Sequence, residues 1–268
     1  MSVKKLKDPV LEKKQTEFQK IMFDPKTYQT PEIVELTKGY AYCIPPDRTV
    51  IEVSETVEGG ESVVLPSSVV EHLIRTATHR VLMNSCICRE TNDCKDYSVE
   101  MGCLFLNEAA KGIHPKLGRV VSEEEALEHA RRSTETGLVP CVGKMKADAD
   151  ALFLDDMNYL TVCFCCDCCC LARMFQHSQQ DLAAFIHRIP GVSLRVTDAC
   201  IGCEACIERC IFEALRMEDD RAVIDDDRCK GCGRCAEECP EGAIKLDIEE
   251  SAYTGKALEG IEKNLMKS

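Results

Sequence analysis

No stretch of this 268-residue chain approaches the roughly 18 consecutive apolar residues that cross a bilayer, so no membrane span is expected. The opening Met-Ser-Val-Lys-Lys-Leu-Lys-Asp-Pro lacks the apolar core of a signal peptide, and the expected compartment is the cytoplasm. Neither G-x-G-x-x-G nor G-x4-G-K-[S/T] occurs, and no pattern supports a flavin or nicotinamide site. A Ser-His-Asp or G-x-S-x-G arrangement is missing too. Positive charge is scarce: 33 Lys and Arg stand against 46 Asp and Glu, a net of −13. That balance argues against nucleic acid as a partner, because phosphate binding needs clustered Lys and Arg. His72, His79, His114 and His129 are scattered without ligand spacing, and the absence of Trp excludes nothing.

What the chain has instead is cysteine, 20 of them. Between Cys200 and Cys239 one phrase is written twice. Cys200-Ile-Gly-Cys203-Glu-Ala-Cys206 is followed by Cys210, and Cys229-Lys-Gly-Cys232-Gly-Arg-Cys235 by Cys239-Pro240. Each copy reads C-x2-C-x2-C-x3-C, the spacing with which a short turning backbone delivers three thiolates to one iron–sulfur cube. Zinc sites use two cysteine pairs per metal and leave the third cysteine unexplained. Disulfides would need an oxidising compartment, of which there is no sign.

Over about residues 198–247 the chain resembles the bacterial-type two-cluster ferredoxins. The resemblance implies that Cys200, Cys203, Cys206 and Cys239 hold one [4Fe-4S] cluster. It gives Cys229, Cys232, Cys235 and Cys210 to the other, each fourth cysteine crossing to the opposite cube. Cys210 is followed by Ile211 where that family carries Pro, whereas Cys239-Pro240 fits.

A second cysteine field lies upstream. Cys86-Ile-Cys88-Arg89 is followed by Cys94 and Cys103, and Cys163-Phe-Cys165-Cys166-Asp-Cys168-Cys169-Cys170 comes later. If both C-x-C units lie at strand ends, period-two alternation puts Cys86 with Cys88, and Cys163 with Cys165, on one face. These ten thiols suffice for one or two further clusters, and the blocks at 80–103 and 159–170 are expected to converge. Three successive cysteines cannot all face one metal, so Cys168, Cys169 and Cys170 point to different centres or to a packed thiol. Thiolates select Fe–S clusters, zinc or Cu(I); beside a two-cube module, iron–sulfur ligation is preferred to zinc. The field is similar to cysteine-rich extensions in uncharacterised iron–sulfur proteins of anaerobes, a likeness that supplies no reaction. Cys43 and Cys141, isolated in sequence, read as buried small hydrophobes.

The expected organisation is an α+β or α/β cysteine-rich domain followed by a ferredoxin module of two β-α-β halves. Residues 1–46 read as a helical arm, with helices over 10–22 and 31–38. The cysteine-rich domain covers 47–190, the ferredoxin module 191–247 and a tail, with a surface helix, 248–268. Within the second unit the patterns predict a hairpin at 49–57 and 61–65, and a helix after Pro66 with a Ser68–Glu71 capping box. They also predict a strand at 80–84, a capped helix from Ser122 to Gly137, a strand at 159–165 and a helix at 181–189.

The functional expectation is an electron carrier passing low-potential single electrons through two cubes, fed by a partner. Between Asp198 and Asp247 there are 14 acidic and 7 basic residues. That acidic face suits a soluble redox partner with a basic docking face. The rival is a redox enzyme or enzyme subunit, whose upstream field holds an active-site cluster fed by the cubes.

Overall fold

The computed structural model describes residues 39–45, 50–53, 66–154, 158–170 and 186–248, with isolated helical residues at 13, 16, 17 and 263. Apart from those isolated residues, the helices expected at 10–22 and in the tail lie outside that set, as do the helix at 31–38 and the hairpin strand at 61–65. Twelve strands are described: β1 Gly39–Cys43, β2 Val50–Val53, β3 Arg80–Met83, β4 Leu104–Leu106, β5 Gly118–Val120, β6 Val139–Met145, β7 Leu160–Cys165, β8 Ile186–His187, β9 Val192–Val196, β10 Leu215–Glu218, β11 Arg221–Ile224 and β12 Ile244–Ile248.

The main sheet has the order β5-β3-β4-β7-β6-β1-β8. All its pairs are antiparallel except the parallel β1–β8 edge. β4, Leu-Phe-Leu, is buried along its whole length, as a strand covered on both faces must be. In β7 the residues before and between the thiols are buried while Cys163 and Cys165 are half-buried. The strand thus has an apolar back and a thiol front. Helix α1, Pro66–Thr76, packs on α3, Glu123–Glu135, and α3 lies on the sheet. All five apolar residues of the expected α1 face, Val69, Val70, Leu73, Ile74 and Ala77, are buried. The Ser122 hydroxyl accepts the Glu125 N–H at 3.2 Å and caps α3, worth about 1 kcal/mol.

Three expectations are corrected here. α1 starts at Pro66, so Ser68, expected as its cap, is a residue within the helix; proline suits a first helical position because its missing N–H would be unpaired there anyway. Gly39–Cys43, placed in a helical arm by the sequence reading, is a strand between β6 and β8. Ile186–His187, expected in a helix, is the strand that pairs with Ala41 and Tyr42, and this pairing overrides local helical propensity.

The remaining strands build the segment that carries the doubled cysteine phrase. β9 and β12 pair antiparallel, and β2 joins β12 in parallel, so a strand from residues 50–53 completes this second sheet. β10 and β11 form a hairpin whose two-residue turn, Asp219–Asp220, has both residues at positive φ, the conformation a tight hairpin needs. Two short helices, α5 Ala205–Glu208 and α6 Arg234–Glu238, carry the third cysteine of each phrase. Helices α2 Ile87–Thr91 and α4 Lys146–Leu152 complete the set. Pro190–Gly191 is a tight turn, and one hydrophobic core runs without a break from Tyr42, Leu138 and Phe164 to Phe212, Cys235 and Leu246. Among the described residues no helix is long and apolar enough to cross a membrane.

Candidate metal centres

The doubled phrase folds with local two-fold likeness. In each copy the glycine after the first cysteine is left-handed, Gly202 at φ +69° and Gly231 at φ +70°. The residue before each short helix, Glu204 or Gly233, is left-handed as well. These turns bend the backbone around a point, so that three thiols converge from seven residues. Cys200, Cys203, Cys206 and Cys239 line one small cavity, partly open to solvent, walled by Met217, Ala222 and Ile244. Cys210, Cys229, Cys232 and Cys235 line another, walled by Leu194, Phe212 and Ile224. Each cavity therefore holds three cysteines of its own phrase and the fourth of the other. The fourth cysteines are also alike: Ala214 N–H points at Cys210 Sγ at 3.3 Å, and Ala243 N–H at Cys239 Sγ at 3.2 Å. Ile211, where the resemblance expects Pro, is buried in the core beside Phe212.

A donor set of four thiols in an apolar, N–H-lined cavity fits a [4Fe-4S] cluster. The two cavities differ in exposure. At the first, Cys203 is exposed and the neighbouring Ile201 is 64 % exposed. Backbone N–H groups of Ala222 and Gly202 hold the Cys200 thiol below its ordinary range. At the second, burial pushes Cys232 up to about 11 and raises Cys235 and Cys229 as well. Charged thiolates there need compensation by bound metal, so metal binding and folding are linked. Arg234 provides part of it: the guanidinium is buried, donates to the Cys165 carbonyl, and faces Cys232, Cys165, Asp167 and Cys170.

Upstream, the structure brings together thiols that are far apart in sequence. Cys43 stands opposite Cys141, and Cys141 opposite Cys163, across β1, β6 and β7. Cys43 Sγ and Cys141 Sγ are 3.3 Å apart. Cys163 touches Cys103, and Cys165 touches both Cys141 and Cys170. The result is a row of buried and half-buried thiols on one face of the sheet. Sequence reasoning set Cys43 and Cys141 aside as isolated; only the strand register reveals them. Cys86 and Cys88 do not lie on a strand. Cys86 is the N-cap of α2 and Cys88 is within it, and their thiols meet through the helical turn. Hydrogen bonding from Cys88, aided by Arg89, lowers Cys86 to about 6, while Cys88 is raised. Cys94, Cys166, Cys168 and Cys169 form a separate group, their sulfurs all within 4.8 Å of one another. Cys168 and Cys169 thus share one group although adjacent, and Cys170 alone turns away, into the core.

The scattered histidines hold no such place. His129 is buried, hydrogen-bonded to the Gly102 carbonyl at 2.8 Å and set edge-on to Phe164. His79 lies 3.3 Å from Glu108. Arg89, which follows the first C-x-C directly, is 1 % exposed.

Comparison with known proteins adds one match. The family model for the 4Fe-4S binding domain covers residues 222–245, which include Cys229, Cys232, Cys235 and Cys239. No curated protein and no solved structure matches the chain. Residues 222–245 are thus similar to a 4Fe-4S binding domain, and the chain, a mixed α/β protein with cysteine-rich regions, carries at least one [4Fe-4S] site.

Proposed function

We propose that this protein is an electron carrier with two [4Fe-4S] clusters, one in each four-cysteine cavity. The observation that carries the reading is the partition of eight cysteines into two apolar cavities, three from one phrase and one from the other in each. When bound, such clusters supply one-electron redox chemistry at potentials tuned by burial and by hydrogen bonds to sulfur. The chain's own residues do the rest. Cys210 and Cys239 tie the halves together, Arg234 offsets negative charge at the buried site, and Phe212 and Ile224 keep water from it.

The exposed cavity is the docking end. Ile201 stands open to solvent beside Cys203, and the Asp219–Asp220 turn folds directly over Gly202. An apolar tip ringed by carboxylates suits a soluble partner with a basic face, whose encounter it steers.

The test uses anaerobically purified protein. About eight irons and eight inorganic sulfides are expected in the two cubes, with two interacting spins on reduction. Cys210→Ser should disturb the cube of Cys229, Cys232 and Cys235 and leave that of Cys200, Cys203 and Cys206 recognisable. Disturbance of the second set alone, or four sulfides in the parent protein, would refute the paired-cube reading.

A further inference from the structure

Apart from the two cavities, the described residues contain one further place where four thiols close on a common point. We propose that Cys94, Cys166, Cys168 and Cys169 bind a single thiophilic divalent ion, zinc or ferrous iron, as a tetrathiolate. The inference does not depend on the two-cube reading.

Size is the first argument. The four sulfurs lie within 4.8 Å of one another, and Cys94 Sγ is 3.6 Å from Cys168 Sγ. Metal–sulfur bonds of about 2.3 Å in a tetrahedron hold the ligand sulfurs about 3.8 Å apart. In a cube each cysteine binds a different iron, and the iron–sulfide body separates the ligands further. The cage has the dimensions of one ion.

Local structure explains how neighbours in sequence share it. Beyond β7 the chain turns through Cys166-Asp167-Cys168-Cys169, and Cys169 N–H points back at Cys166 Sγ at 3.3 Å. Cys94 arrives from the end of α2, its N–H on the Arg89 carbonyl at 2.9 Å. Asn92 clasps the two segments through the carbonyls of Cys88, at 2.8 Å, and Cys169, at 3.4 Å.

Charge is the second argument. Arg89 is buried and donates to the carbonyls of Ser98, Phe164 and Met101, while also reaching the Cys166 thiol. Among the described residues no carboxylate forms an ion pair with it. A permanently charged guanidinium inside a protein needs an anionic partner. The Cys86 thiol, which Arg89 helps to hold low, supplies one, and a metal-bound Cys166 thiolate would supply a second on the side of the cage.

The experiment compares total metal with acid-labile sulfide in the full-length protein, purified without air. Cubes bring equal numbers of each, whereas a lone tetrathiolate ion brings metal only. Iron plus zinc should exceed sulfide by about one per chain. X-ray absorption at the edge of the excess metal should show four sulfurs at about 2.3 Å and, if the metal is zinc, no iron neighbour. Cys94→Ser and Cys168→Ser should each remove that excess and keep the reduced-cube spectra; Cys43→Ser, outside the cage, should keep both. Metal equal to sulfide in the parent protein would overturn the proposal, as would an excess that survives both cage variants. Failure of the two-cube reading would instead appear as a sulfide shortfall, leaving the excess untouched.

Discussion

Gly202 and Gly231 occupy equivalent places in the two cysteine phrases, yet alanine should cost much more at the first. Both glycines are left-handed, and an L side chain there costs about 1–2 kcal/mol. At Gly202 the added Cβ would meet the Asp220 carbonyl oxygen at 2.5 Å, where ordinary contact begins at 3.4 Å. That oxygen belongs to a two-residue turn already confined to positive φ, so the backbone must move by most of an ångström. At Gly231 the nearest atom is Arg188 Cγ at 2.9 Å, part of a flexible side chain whose ion pair with Asp226 is exposed and weak. Combining strain and clash gives about 4 kcal/mol for Gly202→Ala and about 2 kcal/mol for Gly231→Ala. In a chain of this size each kcal/mol moves the melting temperature by about 2–4 °C. Anaerobic melts at one scan rate, followed by cluster absorbance, should therefore separate the variants by roughly 5 °C. Gly202→Ala should also lose iron from the exposed site first. A Gly202→Ala protein melting within about 2 °C of the parent, or a Gly231→Ala protein melting lower still, would refute this reasoning.

Two further perturbations test the larger sheet. Ser122→Ala removes the hydroxyl that caps α3 and should cost about 1 kcal/mol in urea titrations, with the slope unchanged. Asp148, half-buried beneath Thr161, has its carboxyl raised by burial from 3.8 to about 7. Because the native state keeps that proton longer than the unfolded chain, stability is greatest below the unfolded value and declines as pH rises towards about 7. The decline is at most about 4 kcal/mol, and Asp148→Asn should flatten it; equal slopes in both proteins between about pH 4 and about pH 7 would contradict the assignment.

Features written within one local stretch were readable from sequence. The C-x2-C-x2-C-x3-C spacing, the Ser122 cap and the alternation of Tyr159–Cys165 each depend on a few neighbouring residues, and each appears in the fold. Features set by pairing at a distance were not. β6 is disguised by Pro140 and Gly143, both poor strand formers, and is held by β1 and β7 on either side. Cys43 and Cys141 carry no motif; they join the thiol row because two register choices align them with Cys163. For the four-thiol cage the signal was partly present, since Cys166, Cys168 and Cys169 lie in one block. The partner, Cys94, could be identified only once α2 had been placed beside the end of β7. Cys86 and Cys88 misled for the opposite reason: C-x-C suits a strand face, but here it straddles the start of a helix.

The strand order has a consequence for synthesis. β1 is made well before its partners: its thiol neighbour Cys141 comes 98 residues later, and its other neighbour, β8, later still. β2 must wait for β12, close to the end of the described chain. A ribosome releasing this protein thus emits two strands with open edges and a run of unpaired thiols well before the segments that cover them exist. Closing such long loops costs little at equilibrium, but it delays folding and leaves the edges open to wrong partners. The doubled cysteine phrase emerges after every strand of the first sheet, so metal insertion comes at the same stage as the closure of the second sheet. Nascent chains released into air would meet oxidant during that interval, with their thiols still uncovered, and the yield of intact protein should depend on oxygen exposure during expression more than on any treatment afterwards.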